Sequence, residues 1–132
     1  MSDEAQSDRV ALVIEDDDQI AYLLQFILTK EGYTVKVVRD GRAAQTLIEH
    51  DSPPSVVTLD YMLPHVNGLE LLAIIRARAD WNEVPVLMLT AKSQEKDIAH
   101  ALESGAAGYL IKPFKPEELR ARIRSVVGNR GA

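Results

Sequence analysis

The stretch "SVVTLDYMLP", residues 55–64, decides how the rest of the chain is read. Val56, Val57 and Leu59 put apolar side chains on both faces of a short extended segment, the pattern of a strand buried in a parallel sheet. Asp60 follows at once. Inside such a sheet an unpaired carboxylate is costly to bury. At the carboxyl end of the strand it can instead face the crevice where open α/β sheets hold ligands. Taken alone, Asp60 serves equally well as a loop aspartate capping the next helix.

Four more β-favouring segments flank this one: "VALVI" (10–14), "TVKVV" (34–38), "VPVLML" (84–89) and "GYLI" (108–111). A helical pattern lies in each gap and another closes the chain. Ile20, Leu23, Leu24, Ile27 and Leu28 form an amphipathic stripe. Ala43, Ala44, Leu47 and Ile48 form a shorter one. Leu69, Leu72, Ala73 and Ile75 form a third, opened by Asn67 and Glu70 in capping-box spacing. Ile98, Ala101 and Leu102 run to a stop at Gly105. Leu119, Ile123, Val126 and Val127 follow Pro116 and two acids, a helix start. Strand and helix alternating five times predict right-handed crossovers and a doubly wound parallel α/β sheet with helices on both faces.

The chain has 132 residues, 46% of them hydrophobic, which suits one globular domain. No apolar run is long enough to span a membrane, and the opening "MSDEAQSD" has no signal-peptide character. There is no cysteine, which fits a cytoplasmic location and excludes thiolate chemistry. A net charge of −5 argues against direct nucleic-acid binding. Residues 1–8 and 128–132 read as a disordered N-terminal and a C-terminal tail around a domain at 9–127.

The strand ends carry the chemistry. The first strand runs into "EDDD" (15–18) and the third ends on Asp60. If these strands are neighbours, Glu15, Asp16 and Asp60 converge and raise one another's pKa values. A hard cation such as Mg²⁺ resolves that repulsion with oxygen ligands. Asp18 is expected to be the N-cap of the first helix. The fourth strand ends at Thr90 and the fifth at Lys112. Singly these are a helix cap and a surface lysine. Together with the acids they supply a hydroxyl and an ammonium for a phosphoryl group beside a metal.

Four motifs in order, "LVIEDDDQI", "LDYMLPHVNGLELL", "PVLMLTAK" and "GYLIKPF", resemble the receiver domain of bacterial two-component response regulators from about Arg9 to Val127. The resemblance implies a flavodoxin-like (βα)5 fold with strand order 2-1-3-4-5. It implies that Asp60 is the phosphoacceptor, taking a phosphoryl group from a sensor histidine kinase, a phosphotransfer protein or a small phosphodonor. It implies Mg²⁺ held by Asp16, by Glu15 through water, by Asp60 and by the backbone carbonyl of Met62. Lys112 would pair with the phosphoryl oxygens, and its bond to Pro113 would be cis. Thr90 and Tyr109 would form a switch pair: Thr90 moves to the phosphoryl group and Tyr109 turns inward. The change would reach the face made by the fourth helix, fifth strand and fifth helix. Read without the resemblance, Tyr109 is an ordinary half-buried aromatic.

The resemblance also implies a signalling switch rather than an enzyme, acting on a downstream effector or a fused output domain, with no membrane contact. Ala107 and Gly108 stand where a DNA-binding subfamily usually has two acids, so a monomer or a weak phosphorylation-dependent dimer is expected. Met62 and Lys92 would border the approach of hydrolytic water, and neither suits it for attack. Three other classes fit less well. A haloacid-dehalogenase-type phosphotransferase needs an acid where Met62 stands. A flavin or nucleotide module needs a phosphate loop where "EDDDQ" stands. A partner-binding module without phosphorylation leaves the acids, Thr90 and Lys112 unused. Gly68 and Pro64 read as turn formers, Trp81 as packing, and His50, His65 and His100 as surface residues.

Overall fold

Five strands, each followed by a helix, account for most of the chain. The computed structural model describes residues 9–91 and 94–131. Its elements are β1 (Val10–Ile14), α1 (Asp18–Lys30), β2 (Thr34–Val38), α2 (Gly41–His50), β3 (Val56–Asp60), α3 (Gly68–Ala77), β4 (Val86–Thr90), α4 (Glu95–Glu103), β5 (Gly108–Ile111) and α5 (Pro116–Gly131). All neighbouring strands are parallel, in the order β2-β1-β3-β4-β5. The doubly wound parallel sheet is the one the alternation of strands and helices predicts, and its flavodoxin-like order is the one the resemblance implied.

The period of two along each strand divides the core into two layers. Leu12, Ile14, Val57, Leu59 and Met88 face one layer, where α2, α3 and α4 contribute Ile48, Leu72, Ile75 and Ala101. Ala11, Val13, Val56, Leu87 and Leu89 face the other, closed by Leu24 and Ile27 of α1 and Leu119 and Ile123 of α5. Every residue of β3 and β4 is buried, as their apolar runs require. Thr58 is the polar residue in the middle of β3: its hydroxyl is buried and has no hydrogen-bond partner among the described residues. Thr58→Val is therefore expected to be neutral or to stabilise by about 1 kcal/mol, read from the urea midpoint. A clear loss would show that the hydroxyl is satisfied by a bond to water.

Helix ends follow their side chains. Asn67 and Glu70 form a complete capping box at α3, with bonds of 3.0 and 3.1 Å. The cap of α1 is Asp17, not Asp18. Asp17 has extended backbone angles and accepts from Ile20 N at 2.9 Å, whereas Asp18 is already helical. Thr90 caps no helix; it closes β4 and is buried. Three stripe assignments also change. Ala43, Ala73 and Leu102 are exposed; α2 buries Gly41 beside Ala44 and Ile48, and α3 buries Leu71 beside Leu72 and Ile75. Gly105, at φ +113°, ends α4 as expected.

The last helix runs through Gly131, so 128–131 are helical where a tail was expected. The expected N-terminal tail, residues 1–8, lies outside the described residues. Trp81 is fully buried and donates to Asp51 O at 3.1 Å, a packing role. Among the described residues no helix is long and apolar enough to cross a membrane.

Candidate phosphoryl and cation site

Parallel pairing brings the carboxyl ends of β1, β3 and β4 and the residue after β5 to one edge of the sheet. Register does the alignment: Ile14 lies beside Leu59, Asp60 beside Leu89 and Thr90 beside Ile111. Glu15, Asp60, Thr90 and Lys112 therefore converge, each fixed by the backbone of a buried strand. An open cleft of about 760 Å³ at this edge is lined by Glu15, Asp16, Asp60, Met62, Thr90 and Lys112 among others.

Burial differs sharply among the acids. Glu15 is fully buried and Asp60 nearly so, whereas Asp16 is exposed. One carboxylate oxygen from each lies within 4.8 Å of the others. The Lys112 ammonium donates to the two Glu15 oxygens at 2.9 and 3.2 Å and lies 3.3 Å from Asp60 Oδ2. Asp60 Oδ1 also accepts from Met62 N at 3.3 Å. Burial pushes the Asp60 carboxyl up to about 7, and the adjacent Glu15 carboxylate pushes the same way against the opposing pull of Lys112.

The donor set suits a small hard cation. Oxygens around an octahedral Mg²⁺ sit at about 2.0–2.1 Å, so ligands on opposite sides are about 4 Å apart. Three carboxylate oxygens within 4.8 Å of one another are close to that spacing. Burial and mutual repulsion give Asp60 and Glu15 a standing demand for positive charge, which Lys112 meets only in part. Mg²⁺ bound here would neutralise phosphoryl oxygens.

Thr90 and Tyr109 are brought together as the resemblance implied, but the expected starting position differs. Tyr109 is already inward, 6% exposed and hydrogen-bonded to Thr90. Burial, with the Asp97 carboxylate nearby, raises its phenol above the usual range. The Lys112–Pro113 bond is cis. Gly68 does more than form a turn: a Cβ there would lie 2.5 Å from Asp60 O, so only glycine lets α3 start against the end of β3. His50, His65 and His100 are exposed and none lines the cleft. Lys92 lies outside the described residues.

One contact at the site carries no sequence signal. Arg39, just after β2, donates to Glu15 O and Asp16 O and pairs with the Asp18 carboxylate. Its neighbours become visible only once β2 is known to lie beside β1.

Comparisons with known proteins agree with this geometry. The family model described as "Response regulator receiver domain" matches residues 11–124. The DNA-binding response regulator MtrA of Mycolicibacterium paratuberculosis is 43% identical over 114 residues, covering 86% of this chain and 49% of that protein. The alkaline phosphatase synthesis transcriptional regulatory protein SphR of Synechococcus elongatus is 43% identical, covering 88% and 48%. The chain thus spans about half the length of these relatives. Among solved structures, the receiver domain of the Francisella response regulator 1452 superposes with a TM-score of 0.82 at 30% identity, covering 92% and 98%. The receiver domain of the Pseudomonas aeruginosa sensor histidine kinase PA1611 gives 0.82 at 30%, covering 92% and 99%. That structure has magnesium coordinated in its active site cleft.

Proposed function

Because the chain belongs to the response-regulator receiver domain family, the phosphoacceptor signalling domain of two-component systems, we propose that Asp60 is the residue phosphorylated. The observation that supports this most is the edge itself: Asp60 nearly buried, with Glu15, Asp16 and Lys112 around its carboxylate.

In this reading a carboxylate oxygen of Asp60 bonds to phosphorus as the donor's bond to it breaks, and the bonding pair leaves with the donor. Asp16, Asp60 and the Met62 carbonyl would hold Mg²⁺, with Glu15 acting through water. Bound there, the ion would supply positive charge that offsets the charge of the phosphoryl group. Lys112 shifts from its Glu15 and Asp60 contacts to a phosphoryl oxygen, a change of partner within reach of one flexible side chain. Thr90 can donate to the phosphoryl group while accepting from the Tyr109 phenol, since a hydroxyl does both. The switch then works through rearrangement of a pair already in contact, and it alters the α4–β5–α5 face.

The receiver unit is taken as residues 9–127. Its partners are a sensor histidine kinase or phosphotransfer protein upstream and an effector or fused output domain downstream, in the cytoplasm. Ala107 and Gly108 supply no acids for intermolecular ion pairs, so the phosphorylated form is a monomer or a weak dimer. The test is incubation with acetyl phosphate and Mg²⁺, followed by intact mass. One phosphoryl group is gained, none without Mg²⁺ and none in Asp60→Asn; a gain that survives in Asp60→Asn refutes the assignment.

Hydrolysis is expected to be slow. Met62 is 60% exposed at the cleft and offers no hydrogen bond to orient water. Phosphoryl decay should quicken severalfold in Met62→Asn, Lys92→Glu. Unchanged decay would mean that the ligand geometry, not these side chains, sets the lifetime.

A further inference from the structure

We infer that Arg39 is a positioning residue for the cation site, holding the β1–α1 loop in the shape that presents Asp16 to the metal. The inference rests on the reading of the cleft as a Mg²⁺ site. It starts from a problem in the sequence: Glu15, Asp16, Asp17 and Asp18 are consecutive acids at the end of one strand. Their repulsion favours any backbone that spreads them apart. Glu15 is held by burial and by Lys112, and Asp17 by its capping bond to Ile20. Asp16 is exposed, so packing does not hold it.

Arg39 supplies what packing does not. β2 runs parallel beside β1 with Val38 in register with Ile14, and Glu15 N donates to Val38 O at 3.0 Å. Arg39 therefore leaves β2 at the level where the acidic loop leaves β1. Its Nε donates to Glu15 O at 3.1 Å and its Nη2 to Asp16 O at 3.2 Å. These carbonyls belong to the two peptide units flanking the Asp16 Cα. Fixing both planes constrains both backbone torsions of Asp16, and hence the direction of its side chain. The Asp18 carboxylate pairs with the same Nη2 and anchors the guanidinium there. The planar fork is essential to this: a lysine ammonium presents its donors from one point and does not span two carbonyls.

A cation beside a cation site also has an opposing effect, because it repels Mg²⁺. That repulsion is screened, since the arginine is paired with Asp18 and its side chain is 45% exposed. Positioning and repulsion change affinity in opposite directions, so the sign of one measurement separates them.

The experiment is calorimetric Mg²⁺ titration of the whole chain and of Arg39→Ala, Arg39→Lys and Asp18→Asn, with folding checked by circular dichroism. Positioning predicts that Arg39→Ala raises the Kd about tenfold, the lower end of the loss seen when groups supporting metal ligands are removed. Arg39→Lys should lose nearly as much despite keeping its charge. Asp18→Asn, which keeps the arginine and frees it from its anchor, should fall between. Phosphorylation by acetyl phosphate should slow in Arg39→Ala at limiting Mg²⁺ and recover at saturating Mg²⁺, a split that a general loss of stability does not produce. Unchanged or tighter binding in Arg39→Ala, or wild-type affinity in Arg39→Lys, overturns the inference. Wild-type protein that binds no Mg²⁺ instead refutes the cation-site reading on which it stands.

Discussion

Asp60→Asn is expected to melt well above the wild type in metal-free buffer at pH 8, and the gap should close toward pH 5. The sign follows from the raised carboxyl. Its pKa moves from 3.8 to about 7, so the folded chain keeps a proton that the unfolded chain releases. Folding is therefore progressively disfavoured as pH rises from about 4 to 7, and the full penalty applies above that range. Asparagine has no charge to desolvate and removes the repulsion with Glu15. A rise of roughly three units corresponds to a few kcal/mol at 1.36 kcal/mol per unit, so about 3 kcal/mol and roughly 10 °C are expected. Mg²⁺ should raise the wild-type melting temperature and narrow the gap, because an ion that binds only the folded state stabilises it. The corresponding change at exposed Asp16 should be much smaller. A pH-independent difference, or a lower melting temperature for Asp60→Asn at pH 8, would contradict the buried, mutually repelling arrangement.

The second large effect belongs to Lys112. Its ammonium is the cation shared by Glu15 and Asp60, and all three side chains are largely buried. Removing one member of such a cluster leaves uncompensated charge behind, so Lys112→Met should destabilise the metal-free protein by about 3–5 kcal/mol at pH 8. At pH 5 Asp60 holds its proton and the loss should shrink. It should shrink likewise in the Asp60→Asn background, giving a strongly non-additive double-mutant cycle in urea unfolding. Equal losses at both pH values and in both backgrounds would mean that Lys112 contributes packing and not charge.

Much of the architecture was legible because strand burial leaves a direct trace. The β3 segment is apolar on both faces, and its terminal Asp60 stands out for that reason. Adding the strand ends at Glu15, Thr90 and Lys112 was enough to assemble one edge. What stayed illegible depends on backbone torsion or on contacts across the sheet. Three successive aspartates are all competent caps, and only the turn angle selects Asp17 over Asp18. The burial of Glu15 beside exposed Asp16 depends on where β1 stops, by one residue. Helical stripes fix a face only to within a neighbouring position, which is why Ala43, Ala73 and Leu102 moved to the surface. The need for glycine at 68 arises from a backbone approach between segments eight residues apart. The inward Tyr109 reflects its bond to Thr90 on the adjacent strand, which residue spacing does not convey.

The phosphoryl group is expected on the Asp60 carboxylate, and its chemistry there can be read directly. Borohydride reduces an acyl phosphate and leaves phosphate esters intact, so it converts a phosphoaspartate into homoserine. The protein would be treated with acetyl phosphate and Mg²⁺, reduced, digested and mapped by mass. Homoserine is expected at position 60 and at no other acid, with none formed when Mg²⁺ is chelated. Homoserine at Asp16 or another carboxylate, or a phosphoryl group that resists borohydride, would contradict it.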